Sequence, residues 1–170
     1  MATALTVYKL IILYMLDEID TPISKAQISD FVLENGYADF LKLQQIFAEM
    51  QESGLVAAQT GVGRTFLRIT DEGRESLHFF SGQLNREIKE QIDAFLKEKG
   101  ATLRNEAAVT GEYYRTTGGE YEAHLCVTER RSRLIDLRMT VPDEEMARAI
   151  AEHWQECSGE IYQYLVEKLF

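Results

Sequence analysis

Residues 4–18 read ALTVYKLIILYMLDE, and between Leu5 and Leu16 this segment has almost no polar side. Its residues are helix formers, and a helix that is apolar all round must be covered all round. One side can pack on its own domain. The remainder is most economically covered by the same helix of a second copy, which predicts a homodimer held through Val7, Ile11, Ile12 and Met15. The other solution is that the second domain of the same chain covers it. The run is interrupted by Lys9, is too short to span a bilayer, and lacks the basic start and small-residue cleavage site of a signal peptide. A soluble cytoplasmic protein without a membrane partner is therefore expected.

The segments that follow carry their own punctuation. SKAQISDFVLEN opens on Ser24 with Gln27 three residues on, the capping-box arrangement that satisfies free amides at a helix start, and Asn35-Gly36 ends it. A third helix over about Asp39 to Ser53 places Phe40, Leu43, Ile46, Phe47 and Met50 at helical spacing. LVAAQ and RTFLRIT then read as two strands joined through Thr60-Gly61-Val62-Gly63, where glycine allows the positive backbone angles of a tight hairpin. Thr70 or Asp71 caps a fourth helix beginning near Glu72. Three helices, a hairpin and a closing helix predict a winged helix-turn-helix over residues 1–83.

Asn85 to Lys99 alternates charge around Ile88, Ile92, Phe95 and Leu96, which predicts a solvated connector helix over 84–100 that ends at Gly100. From there the hydrophobic period changes to two. Ala107, Val109 and Tyr113 alternate with polar residues, as do Tyr121 to Val127 and Ile135 to Val141, predicting a three-stranded antiparallel meander with one wet face. After Val141-Pro142-Asp143 a long helix covers the sheet with Met146, Ile150, Trp154 (or Ala151), Cys157, Ile161 and Leu165, Gly159 marking a local weakness. The expected class is α+β, with a small α+β domain over 101–170.

Taken together, ILYMLDEID, PISKAQISDFVLENGY with the LQQ that follows, RITDEGRESL, EYEAHLCVTERRSRLIDLRMTVP and AEHW resemble a bacterial family of short winged-helix proteins carried as a domain of unknown function. The resemblance runs over almost the whole chain. It implies a winged-helix half, a small α+β half and a role in transcription, without an established operator, substrate or catalytic residue. RITDEGRESL also resembles the end of the wing in PadR-like and MarR-like repressors, a likeness confined to the first half.

In a winged helix the third helix enters the major groove and the wing meets phosphate or the minor groove. Lys42 and Gln45, with Gln44 as a further candidate, would then meet bases of double-stranded DNA, and Arg64 the backbone. Lys25 and Gln27, at the start of helix two, would hold a phosphate. Against this stands a net charge of −10, split as 6 basic against 11 acidic residues up to residue 83 and 12 against 17 after it. A polyanion is repelled by such a balance unless a local basic patch outweighs it. Asp39, Glu49 and Glu52 share the third helix, and Leu41 on the same surface suits a protein interface as well as a thymine methyl. The alternative is thus a winged-helix module that binds protein instead of DNA.

In the second half Arg130, Arg131 and Arg133, with Arg138 on the wet face, are candidates for an anion site or an auxiliary phosphate contact, although Glu129 and Asp136 stand among them. Tyr113, Tyr114, Tyr121 and Tyr164 could line a pocket for a small-molecule effector between sheet and helix; a protein effector is the other option. Cys126 and Cys157 read as packed thiols in a reducing compartment. His78, His124 and His153 fall in separate elements, with no cysteine or carboxylate at a ligand spacing. Gly61-Val62-Gly63 lacks the rest of a nucleotide-binding fingerprint. No enzyme activity, metal or cofactor is expected.

Overall fold

The structure, a computed structural model, describes residues 4–61, 63–130 and 132–170. It is a mixed α+β chain of two compact units, one formed by residues 1–60 and 64–107 and the other by 108–170 with 61–63. Among the described residues there are six α-helices and two three-stranded antiparallel sheets, and no helix is long and apolar enough to cross a membrane.

In the first unit the order is α1 (Ala4–Asp17), β1 (Ile23–Ser24), α2 (Lys25–Glu34), α3 (Phe40–Glu52), β2 (Val56–Gly61), β3 (Arg64–Ile69), α4 (Asp71–Phe80) and α5 (Arg86–Ala108), with a 3-10 turn at Ser81–Gln83. The caps act where the residues suggest. Ser24 Oγ accepts from the Gln27 amide at 3.2 Å, Asp39 from the Lys42 amide at 2.8 Å and Thr70 from the Gly73 amide at 3.0 Å. Only half of the expected capping box forms, because the Gln27 side chain donates to Glu106 on α5 at 3.0 Å instead of turning back. Gly36, at φ +68°, ends α2 in the left-handed conformation that glycine adopts without strain. The two-residue strand β1 was not expected from the sequence. It pairs with β3, Ile23 opposite Leu67 and Ser24 opposite Phe66, and makes the hairpin a sheet of order β1-β3-β2.

Two expectations are corrected here. Leu10, Ile11, Ile12, Leu13, Met15 and Leu16 are all buried, Val7 is half-buried, and the cover comes from one chain. Helices α3 and α4 and strand β3 pack on α1, and α5 reaches it where the Tyr14 hydroxyl donates to Asp93 at 3.0 Å. Val7, Ile11, Ile12 and Met15 therefore form core, and the predicted dimer loses the face on which it was argued. The second correction concerns α5 itself. It does not stop at Gly100 but runs to Ala108, taking Ala107 out of the predicted strand. A helical glycine costs only about 1 kcal/mol relative to alanine. Burial of Leu96 and Leu103 on either side of it outweighs that, and Ile92, Leu96 and Leu103 join the core of the first unit. The boundary at 83 and the separate connector over 84–100 are replaced by a boundary near Ala107.

The second unit is the expected meander of β4 (Val109–Arg115), β5 (Tyr121–Glu129) and β6 (Ser132–Val141), covered by α6 (Glu144–Leu169). Ala123 and Leu125 face Ala151 and Trp154 across the layer, with Val109, Tyr113, Val127, Ile135, Leu137, Ile150 and Ile161 around them. Of the predicted helix stripe Met146 is 48% exposed, and Ala147 and Ala151 take the inward places. The small residues are explained by close approach: a Cβ at Gly111 on β4 would stand 2.5 Å from the Ala151 carbonyl oxygen. The Trp154 indole N–H donates to the Cys126 carbonyl at 3.1 Å, so its polar atom is satisfied in the core.

Gly111→Ala therefore forces α6 off the sheet and is expected to cost about 1–3 kcal/mol. Gly118→Ala, at a turn whose nearest neighbour would be 3.8 Å away, is expected to change little. Fluorescence of Trp154, the chain's one tryptophan, during urea unfolding reads the difference as a lower midpoint for the first variant alone.

Candidate functional site

On α3 the buried stripe of Leu43, Ile46, Phe47 and Met50 fixes which residues are left outside. Lys42, Gln44 and Gln45 are exposed, and so are Phe40 (58%) and Leu41 (79%) at the helix start. Lys42 Nζ lies 5.9 Å from the Tyr8 ring centre, a cation–π distance that leaves the ammonium in solvent. Gln45 donates to Glu49 at 3.0 Å. At the start of β3 Arg64 is exposed. So is Arg68, four residues along the same strand, which the sequence reading did not single out. Alternation along a strand gives Arg64 and Arg68 the same side. Val62 lies outside the described residues.

The residues at the start of α2 are more committed. Lys25 is half-buried with Nζ 5.4 Å from the Phe47 ring centre, and Gln27 is half-buried and bonded to Glu106. Of the six candidates, Lys42, Gln44, Gln45 and Arg64 are exposed, Lys42 with a ring contact to Tyr8 and Gln45 with a bond to Glu49, whereas Lys25 and Gln27 are half-buried against partners within the unit.

The acidic neighbours are partly compensated. Lys9 on α1 forms an ion pair with Glu49 on α3 at 3.0 Å. The hydrogen bonds from Lys9 and then Gln45 hold the Glu49 carboxyl below its ordinary range. This pairing stabilises the fold above the ordinary carboxylate range and is lost as pH falls through the lowered value. Both groups are substantially solvated, which keeps the contribution to stability small.

Among the described residues, the candidate arginines of the second unit differ in their partners. Arg130 occupies the β5–β6 turn with φ +56° and is exposed, and Arg131 lies outside the described residues. Arg133 donates to Asp136 at 2.7 Å and Arg138 to Glu122 at 3.1 Å, so both guanidiniums are matched by carboxylates. The Tyr114 hydroxyl donates to Glu122 and accepts from Arg138. The aromatic residues are likewise dispersed: Tyr113 contacts Glu144 and Arg148, while Tyr114 and Tyr164 are exposed.

Sequence spacing missed one constellation. His124 and Cys126, two residues apart on β5, share the sheet face turned away from α6, and Asp136 on β6 is the register partner of Cys126. One ligand atom from each of the three lies within 4.8 Å of the others. No ligand spacing was expected around the histidines, whereas the fold brings a cysteine and a carboxylate to His124. Burial, and then the Asp136 charge, push the Cys126 thiol up. The hydrogen bonds from Arg133 and His124 hold Asp136 down. His-x-Cys in an alternating strand was the legible part of the signal; Asp136 required the register.

Removing the Lys9 ammonium tests the first of these surfaces. Lys9→Ala is expected to let the Glu49 carboxyl titrate at higher pH than in the parent chain, read from its side-chain carboxyl-carbon NMR shift.

One protein family, described as a domain of unknown function (DUF4364), has a sequence model that matches residues 8–169. The chain belongs to that family. Among curated proteins and among solved structures nothing matches.

Proposed function

We propose that this member of the DUF4364 family is a DNA-binding transcriptional regulator whose first unit is a winged helix-turn-helix. The observation that carries this reading is the arrangement of the first unit. A helix, a short strand, two helices and a hairpin form a sheet of order β1-β3-β2, with Lys42 and Gln44 exposed on the third helix and Arg64 and Arg68 on the hairpin. In such a scaffold the third helix reads bases in the major groove and the hairpin follows the backbone. Lysine can pair with guanine and glutamine with adenine, whereas the hairpin arginines neutralise phosphates. The second unit serves as a dimerisation or effector-sensing module.

The homodimer belongs to this reading, on a surface other than α1. Tyr164, Val166 and Leu169 at the end of α6 are exposed, and apolar side chains gathered at one helix end suit a self-complementary contact. Light scattering at micromolar concentration is expected to give a dimer, and Leu169→Asp a monomer.

A second reading rests on Phe40 and Leu41, whose exposure beside Lys42 suits a protein partner. A salt series of binding to genomic fragments separates the two. For the DNA reading, affinity falls with rising salt, and Arg64→Ala lowers the slope of the log–log plot by about 1. Lys42→Ala costs about 1–3 kcal/mol on the preferred site and less on unrelated sequences. A folded chain that retains no DNA at low salt overturns the regulator and leaves the protein-binding module.

A further inference from the structure

His124 Nε2 lies 2.6 Å from Asp136 Oδ1 and 3.3 Å from Cys126 Sγ, so three donors of different chemistry converge on one point of the open sheet face. The other ring nitrogen, Nδ1, faces Glu112 Oε1 at 3.3 Å. The second Asp136 oxygen is held by Arg133 at 2.7 Å, which leaves Oδ1 as the oxygen turned to the histidine. Cys126 is buried and His124 is half-buried, so the point of convergence is sheltered by the strands that define it.

We propose that His124, Cys126 and Asp136 bind a divalent transition-metal ion of the zinc class, with Glu112 as the group that orients the imidazole. Zinc stands about 2.0–2.3 Å from nitrogen, oxygen and sulfur ligands, and tetrahedral ligand atoms are then about 3.3–3.7 Å apart. The nitrogen–sulfur separation already has that value. The nitrogen–oxygen pair, 2.6 Å apart, must open by less than about 1 Å as the ion enters between them. Binding releases the Cys126 thiol proton to solvent, and a neutral His124 ligates through Nε2 with its one ring proton on Nδ1, donated to Glu112, as ligating histidines usually do to a carboxylate. Thiolate and carboxylate together match the charge of the ion. The mixture of sulfur, nitrogen and oxygen excludes a calcium or magnesium preference, since those ions take oxygen ligands. Three protein ligands leave a fourth position to water or to a small anion.

The inference is independent of DNA binding, and its test reads the metal alone. Full-length protein, stripped with a chelator under reducing conditions, is titrated with Co²⁺. The expected result is one equivalent bound, with thiolate-to-cobalt charge-transfer absorption in the near ultraviolet that Zn²⁺ bleaches by displacement. Cys126→Ser abolishes this absorption and Cys157→Ser retains it. His124→Gln and Asp136→Asn each weaken cobalt binding more than tenfold, and Glu112→Gln weakens it about 10–100-fold. Circular dichroism establishes that each variant is folded. Should Cys126→Ser fail to fold, zinc protection of Cys126 from alkylation in the parent chain reads the same claim, with Cys157 alkylated equally with and without zinc. Saturating Co²⁺ without the near-ultraviolet absorption overturns the site, as does absorption that survives in folded Cys126→Ser. Either result leaves the cluster as hydrogen bonds alone.

Discussion

The first unit is organised by the demand that the apolar middle of α1, Leu10 to Leu13, be covered on every side. Helices usually economise by presenting one apolar stripe to a core, but here Leu10 through Leu13 are buried in succession, which no single neighbour can achieve. Cover has to come from α3, α4 and β3, with α5 engaged through Tyr14 and Asp93. Burial and the bond to Asp93 push the Tyr14 hydroxyl up to about 12. The same demand explains why α5 is long. Its amphipathic stripe continues past Gly100 because Leu103 still has core to join. A segment that reads as a connector is thereby recruited into the domain it was expected only to leave.

That recruitment shapes the surface as well. Fixing α3 by its apolar stripe leaves Lys42 and Gln44 outside, and fixing α5 brings Glu106 to Gln27. The candidate surface of the first unit is therefore narrower than its cationic and amide residues suggested. It consists of the exposed start of α3 and the outer side of β3. Side chains at the start of α2 are drawn into internal bonds. Their partners stand far away in sequence, so no local pattern could announce them.

What the sequence made legible was whatever depends on neighbours within a few residues. Ser24, Asp39 and Thr70 cap helices because an oxygen three residues ahead of a free amide has only one short path to it. Strand alternation likewise gave the meander of β4, β5 and β6 and the face of Ala123 and Leu125. Illegible were the features set by distant partners. Nothing local says that α1 would be covered within one chain, that two residues at Ile23-Ser24 would pair with β3, or that Ala147 and Ala151 would replace Met146 against Gly111. The His124–Cys126–Asp136 cluster falls between these cases. Period two places the first two side chains on one face, but only the register of β5 on β6 supplies the carboxylate.

Charge offers the sharpest contrast between a sum and an arrangement. A net −10 describes the field far from the surface, where ions screen it over about 8–10 Å. Nearer than that, individual pairs decide. Glu49 is matched by Lys9, Asp136 by Arg133 and Glu122 by Arg138, so three of the carboxylates that contribute to the total have their own cations at hand. The pairing acts in opposite directions in the two units. On α3 it softens the repulsion that a phosphate would meet beside Lys42. On the second sheet it pairs Arg133 and Arg138, two of the four candidate arginines, with carboxylates, and His124 stands between two carboxylate contacts, Glu112 and Asp136. One acidic sequence can thus differ locally from its sum, because partners that lie within a few ångströms outweigh the total.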